Sequence, residues 1–318
     1  MDKKINSIRC PICSSENISW QTKYREKNEI FKNLSIYECN FCGMGFADPM
    51  PNKIELDLYN SNYFSEAHGV KTSNTLTYAF YSGMAYLRMH HIQKHIKSCD
   101  INIRSILEYG PGPGLLAKHW LETYPETTYS ALESDISCHR ELISKGVNLI
   151  DESSLKNKKY KFDLVIMSHV LEHVANPFEF LKTASEHLVD GGVIFVEVPC
   201  KDWIHKLVDE PHLLFFDKPS IKCLFEKLEY ECLNISYHGK ELMELSNEDA
   251  FNIFYTRVRN KLLSLGLIMP FSSKQGDLQK IPGDLERAMI KPTKAHYESI
   301  NPAWWLRIVA RKNKRLTS

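Results

Sequence analysis

The sequence predicts an α/β protein: a doubly wound, Rossmann-like parallel sheet of seven strands, with a small cysteine-rich ribbon before it and a helical insertion before its last strand. Three observations carry this expectation. An apolar run, Ser105 to Tyr109, stops in the glycine-rich turn Gly110-Pro-Gly112-Pro-Gly114 and continues as a helical pattern. Strand-like and helix-like segments then alternate as far as Tyr237, and two C-x2-C pairs open the chain. With 318 residues, 43% hydrophobic and 25% charged, the chain has the composition of a globular protein of about two structural units and not of a disordered one. A formal charge of +1 supplies no general field for nucleic acid. The charged start, Met1 to Arg9, lacks the apolar stretch of a secretory signal, and no apolar run is long enough to span a bilayer, so a cytoplasmic protein is expected.

Residues 1–50 read as a metal-binding region. Cys10-Pro-Ile-Cys13 and Cys39-Asn-Phe-Cys42 are separated by 25 residues, and each two-residue gap lets both thiolates of a tight turn face one ion. Gly43 permits the positive φ of such a knuckle. Strands are expected at Ile18 to Tyr24 and Leu34 to Glu38, giving a zinc ribbon. Four thiolates leave no open position, so Zn2+ here is structural, and it supplies folding energy that fifty residues lack. The other five cysteines, Cys99, Cys138, Cys200, Cys223 and Cys232, lie singly and read as reduced thiols.

Residues 51–102 form a helical connector. Asp48 to Asn62 carries Pro49 and Pro51 and reads as a link; Leu76 to Lys97 reads as a helix with Leu76, Phe80, Met84, Leu87, Ile92 and Ile96 turned inward. His91 and His95, four apart, stand beside Arg88, Lys94 and Lys97 and are expected on a solvated face.

Residues 103–240 hold the sheet. The turn after Ser105–Tyr109 brings bare backbone close to a ligand, and the helix Leu115 to Tyr124 aims unpaired N–H groups at it. The dinucleotide pattern G-x-G-x-x-G fails, because Leu115 stands where its last glycine belongs. What stands is Glu108-x-Gly110-x-Gly112-x-Gly114, whose leading acid suits a ligand with an amino group. The next strand, Thr127 to Leu132, ends at Glu133, about 20 residues past the glycines, where a carboxylate accepts both hydroxyls of a ribose. A helix at Ile136 to Lys145 and a strand at Val147 to Ile150 lead to Asp151, within reach of an adenine amino group. Phe162 to Met167 is a continuous apolar run typical of a strand covered on both faces. A helix, Pro177 to Leu188, closes at Asp190-Gly-Gly192 before the strand Val193 to Val198, and Lys218 to Leu228 and Tyr230 to Tyr237 add a helix and a sixth strand.

Together, Glu108-Tyr-Gly-Pro-Gly-Pro-Gly114, Glu133, Phe162-Asp-Leu-Val-Ile-Met-Ser-His-Val-Leu-Glu-His173, Gly191-Gly-Val-Ile-Phe-Val-Glu-Val-Pro199 and His212-Leu-Leu-Phe-Phe216 resemble the class I S-adenosylmethionine-dependent methyltransferases over about Ile103 to Ser236. The resemblance implies that Glu108 and the three glycines hold the methionine portion of S-adenosylmethionine, Glu133 the ribose and Asp151 the adenine, with Ser168 and His169 lining the methionine side. A four-cysteine region ahead of such a domain is further similar to bacterial methyltransferases of sugars and surface glycans, including nucleotide-sugar C-methyltransferases. The expected partner is therefore a nucleotide-linked sugar or glycan precursor.

A sulfonium methyl is already activated, so positioning dominates the rate, but a sugar hydroxyl must still lose its proton. His169, His173 and His212 are the candidate bases. His212 is favoured, because the loop Pro199 to Pro211 leads to it across the strand ends. Where the sugar C-methyltransferases read Tyr-His-Glu-His, this chain has Asp209-Glu210-Pro211-His212, and their long carboxy-terminal domain is not expected here; both departures favour oxygen over carbon as acceptor. His169-x-x-Glu172-His173 also fits the H-x-x-E-H peptidase signature, which needs both histidines on one helix; here the motif leaves a buried strand instead.

Residues 241–302 are expected as a helical, acceptor-choosing insertion, interrupted by Pro270, Pro282 and Pro292; its Tyr255 and Tyr297, with the nearby tryptophans, are candidates for stacking on a sugar. Residues 303–318 return as the last strand, Trp304 to Ala310, pairing with the sixth, and end in a basic tail. Two other readings stand beside an O-methyltransferase and its C-methylating variant. One is an RNA methyltransferase gripping RNA with the ribbon, for which Lys156 to Lys161 is the only lysine cluster in the sheet domain; the other is a non-catalytic ligand-binding module.

Overall fold

The computed structural model describes residues 8–60, 75–97, 101–156, 160–247, 250–270 and 276–313. Met1–Ser7, the end of the connector at Ser61 and Asn62, Cys99, residues 157–159 of the lysine cluster and the end of the basic tail lie outside them. The elements run β1 (Ile18–Lys23), β2 (Ser35–Cys39), β3 (Gly45–Asp48), α1 (Lys53–Asn60), α2 (Thr75–Ile96), β4 (Ser105–Tyr109), α3 (Leu115–Thr123), β5 (Thr128–Leu132), α4 (His139–Ser144), β6 (Asn148–Leu149), α5 (Glu152–Lys156), β7 (Phe162–Ser168), α6 (Pro177–Glu186) and β8 (Leu188–Pro199). They continue as β9 (Leu214–Phe215), α7 (Lys218–Lys227), β10 (Tyr230–Glu241), α8 (Leu242–Ser246), α9 (Ala250–Ser264), α10 (Asp284–Ile290), β11 (Glu298–Ser299) and β12 (Ala303–Lys312).

The main sheet has the order β11-β10-β12-β8-β7-β4-β5-β6. Pairs from β8 to β6 are parallel, and β12 enters antiparallel between β8 and β10. The last long strand thus pairs with the sixth, as its apolar run predicted. Eight strands stand where seven were expected. The extra one, β11, is a two-residue edge strand of polar residues, too short to show a period of two.

Alternation along each strand builds two cores. Leu107, Val165, Met167, Ile194 and Val196 fill one face, while Ile106, Leu164, Ile166, Val193 and Phe195 fill the other. Asp190-Gly-Gly192, expected to precede its strand, lies inside the longer β8. The link at Asp48 to Asn62 contains a helix as well: Asn52 Oδ1 accepts from Glu55 N at 3.0 Å while Glu55 Oε2 accepts from Asn52 N at 3.2 Å, a reciprocal cap that starts α1.

The cysteine region does not stand apart. Its strands β1-β2-β3 are completed by β9, a piece of the chain that follows β8, with Gly45 opposite Phe215 and Phe46 opposite Leu214. A Cβ at Gly45 would lie 3.0 Å from that of Phe215, so the close approach requires glycine. Ile12, Tyr24, Phe31 and Phe46 consequently join the same apolar cluster as Leu213, Phe216 and Leu181.

Helix α2 corrects the sequence reading on one face. Five of its six expected inward residues are buried and Phe80 is partly so, yet His91 is buried too, and Arg88 turns inward to an acid on β8. The helix is covered on one side by α3 and the sheet and on another by α10, where Met84 and Leu87 meet Ile281 and Ile290. Polar letters on a helix enclosed by two partners cannot be read as solvated from spacing alone.

Candidate functional site

At the carboxyl end of β4 the chain turns through Gly110, Gly112 and Gly114, each at positive φ (61°, 54° and 69°). An added Cβ at Gly110 would lie 2.9 Å from Val170 Cγ2, so the turn nests against the residues leaving β7. Glu133, at the end of β5, is drawn across it: Gly112 N donates to Oε2 at 2.8 Å and Asp135 N to Oε1 at 2.8 Å. Burial raises its carboxyl above the ordinary value. Glu108 is buried beneath the turn and accepts from Tyr129 Oη at 2.7 Å. Burial pushes its carboxyl up to about 7, against the lowering effects of Tyr129 and Arg88.

Ser168 Oγ, at the end of β7, is buried with no hydrogen-bond partner among the described residues. Such an atom beside an open glycine turn fits a polar ligand. Asp151, by contrast, is exposed and caps α5, accepting from Ser153 Oγ at 2.6 Å and Ser154 N at 2.7 Å; these bonds hold its carboxyl below the ordinary value.

Beyond Ser168, His169 turns at φ 57° and Leu171–His173 make one short helical turn. His169 Nδ1 lies 3.1 Å from Glu172 Oε1 and its Nε2 3.4 Å from Glu197 Oε1. Burial alone would lower the imidazole, but the two carboxylates outweigh it and raise its pKa. Glu197, fully buried on β8, also accepts from Arg88 Nε at 2.7 Å and Arg307 Nε at 2.6 Å. The cations overcome burial and hold it well below the usual carboxylate range. Arg88 read as solvated and Arg307 was not singled out in the sequence; their partner lies more than a hundred residues away.

His173 and His212 meet edge to face with ring centroids 5.0 Å apart. Burial lowers His173 to about 4, so it is neutral at pH 7. His212 is buried, and its Nδ1 lies 2.7 Å from Asp202 Oδ2, itself buried and bound to Lys206 Nζ at 2.5 Å. Burial would raise Asp202, but His212 and Lys206 hold it well below its ordinary value, so it stays ionised. An ionised carboxylate on Nδ1–H fixes the tautomer and leaves Nε2 as the lone pair. Asp202 escaped the sequence reading because an acid ten residues before a histidine carries no motif. Glu172, His173 and His212 also each place a ligand atom within 4.8 Å of the others, and Glu172 Oε2 has no partner among the described residues. The H-x-x-E-H run therefore does not form one helix: only Leu171–His173 are helical, His169 bridges Glu172 and Glu197, and His173 meets His212.

The loop that carries His212 is clamped by the cysteine region. Arg25 N donates to Asp209 Oδ2 at 2.7 Å, and its guanidinium donates to both carboxylate oxygens. Lys27 N and Asn28 N donate to Glu210 Oε2, Tyr24 Oη donates to the His212 carbonyl at 2.9 Å, and Ala47 N to that of Leu213. The four cysteines behind this clamp converge, with Cys10 Sγ 3.6 Å from Cys42 Sγ and Cys13 Sγ 3.4 Å from Cys39 Sγ. Sulfurs around a tetrahedral ion with bonds of 2.3 Å stand about 3.8 Å apart, so the donor set fits Zn2+.

A doubly wound sheet with a bare glycine turn and an acid at the end of the next strand is the arrangement in which open α/β sheets take nucleoside-containing ligands at their strand ends. Residues 83–235 match the family model described as a methyltransferase domain. It is 30% identical over 119 residues to the ubiquinone biosynthesis O-methyltransferase of Rickettsia prowazekii (strain Madrid E), covering 35% of this chain and 47% of that protein. With the protein of the same name from Caulobacter vibrioides (strain ATCC 19089 / CIP 103742 / CB 15) it shares 31% over 99 residues, covering 29% and 39%. The chain thus spans less than half the length of these curated relatives. Among solved structures it is similar to the plantazolicin methyltransferase BpumL in complex with SAH, at 15% identity, TM-score 0.49, and coverage of 82% and 97%. No described helix is long and apolar enough to cross a membrane.

Proposed function

We propose that the protein transfers the methyl group of S-adenosylmethionine to a hydroxyl of a nucleotide-linked sugar or surface-glycan precursor, with His212 as general base. The observation that carries the reading is the buried Asp202–His212 pair on the loop after β8, behind the turn that joins β7 to α6. In this reading the glycine turn and Glu108 hold the amino-acid end of the cofactor, Ser168 and His169 line it, and Glu133 takes the ribose. The exposed, capping Asp151 takes the adenine only from its outer edge. When bound, the cofactor supplies an electrophilic methyl on a cationic sulfur. The chain aligns the acceptor hydroxyl and excludes water. His212 Nε2 takes the hydroxyl proton, and Asp202 stabilises the imidazolium that forms.

Oxygen as acceptor is supported by the substitution of Asp209 and Pro211 in the loop and by the curated relatives, which are named O-methyltransferases. Zn2+ on Cys10, Cys13, Cys39 and Cys42 is structural in this reading, holding β1–β3 and through them the loop. Incubation with cofactor and a panel of nucleotide sugars, read by mass spectrometry, is expected to show a gain of one methyl on an oxygen. Methyl incorporation into RNA alone, or into none of the pools offered, contradicts it. The convergence of Glu172, His173 and His212 favours one second reading, in which a divalent cation on these groups lowers the hydroxyl's pKa in place of the histidine. Activity restored by added Mg2+ or Mn2+ after chelation, with the cysteine site kept loaded, selects the second; activity indifferent to both selects the first.

A further inference from the structure

Helix α9 turns an apolar stripe to solvent. Phe251, Phe254, Tyr255 and Val258 recur at the spacing that places side chains on one helical face, and Leu265 extends the row just past the helix end. All five are exposed, Phe251 by 71% and Phe254 by 63%. The opposite side faces the protein: Leu263 is buried, and Arg259 Nη2 donates to the Ala288 carbonyl at 2.7 Å. Leu267 and Met269 continue the exposed apolar surface. Met243, Tyr255, Ile268 and Met269, all exposed, also line a cavity of about 980 Å³ between α8, α9 and the end of β10. A contiguous apolar surface beside a cavity marks a docking face and not the scatter of single side chains found on any surface.

The charge of the segment selects the occupant. From Phe251 to Pro270 the chain holds Arg257, Arg259 and Lys261 and no acidic residue. A symmetric contact with a second copy would set these cations against their own counterparts. A surface with apolar depth and negative headgroups satisfies both the stripe and the cations.

We propose that α9 and the segment to Met269 dock on the surface of an anionic phospholipid bilayer, with the aromatic stripe at the acyl boundary and Arg257 and Lys261 among the headgroups. The helix lies in the interface and does not cross it. Docking sets the mouth of the cavity at the membrane, where an acceptor carried on a lipid is reached without leaving the bilayer. The proposal stands apart from the identity of the transferred group.

Flotation of the full-length chain with vesicles tests it. The protein is expected to float with vesicles containing phosphatidylglycerol and not with phosphatidylcholine alone, and added salt is expected to release it. Phe254→Glu should abolish flotation, and Arg257→Ala and Lys261→Ala should each weaken it about fivefold. All three positions are exposed, so thermal stability and cofactor affinity should stay unchanged. Absence of flotation, equal binding to neutral vesicles, or binding unaffected by Phe254→Glu overturns the proposal. So does a dimer, seen by light scattering without vesicles, that Phe254→Glu splits, because the stripe would then be buried between copies.

Discussion

His212 Nδ1 and Asp202 Oδ2 lie 2.7 Å apart and both side chains are buried, so the carboxylate sets the orientation of the ring. Replacing Asp202 with Asn keeps the shape but leaves no anion to hold the Nδ1–H tautomer or the imidazolium. Turnover should fall by about 10² to 10⁴, as should that of His212→Ala, with cofactor affinity retained. A variant that turns over at the normal rate would leave both residues as loop anchors only. Glu108 makes a second prediction at this scale. Its carboxyl is raised by burial to about 7, so the neutral form contributes stability that is present below the ordinary glutamate range and lost as pH rises through about 7. A cationic amino group needs the ionised form. Cofactor affinity measured by calorimetry should therefore rise between about pH 6 and 8 with proton release, and Glu108→Gln should flatten the profile. A pH-independent affinity in the wild type would remove Glu108 from the amino-binding role.

Single elements are held in place by partners distant in sequence. Glu197 joins β8 to α2 through Arg88, which is partly exposed, and to β12 through Arg307, buried with it out of water. Glu197→Ala leaves one fully buried guanidinium without its counter-charge and should cost about 3 to 5 kcal/mol in chemical denaturation. The loop from β8 to β9 is held in a comparable way by Arg25, Tyr24 and β3. Withdrawing the metal from the four cysteines should release that grip, seen as faster amide exchange over residues 200–216. Unchanged exchange there after complete metal loss would show that the apolar contacts of Phe215 and Phe216 hold the loop alone. These dependencies explain what was legible beforehand. β4, β7 and the turn between β4 and α3 are written in local letters, an apolar run meeting glycine, and the structure places them within a residue of expectation. The four cysteines are likewise legible, because the C-x2-C spacing is itself the local geometry. Asp209 read as a departure from a family pattern, whereas it is the partner of Arg25, 184 residues earlier. His91 and Arg88 read as solvated because nothing near them in sequence announces β8 or β10.

At the scale of the molecule, the last strand's place beside the sixth was expected, though not its direction, and the parallel arrangement of the strands from β4 to β8 follows from strand–helix alternation. The shared sheet of β1–β3 with β9 does not: a two-residue strand within a loop has no period, and only tertiary pairing reveals it. That pairing joins the cysteine region in one sheet to β9, the strand that follows His212. The account rests on the glycine turn and Glu133 as a cofactor site, and calorimetric titration with S-adenosylmethionine, on the wild type and on Glu133→Ala, tests it most directly. Saturable binding that weakens about tenfold or more in the variant is the predicted result. No heat in the wild type, or equal affinity in the two proteins, would contradict it.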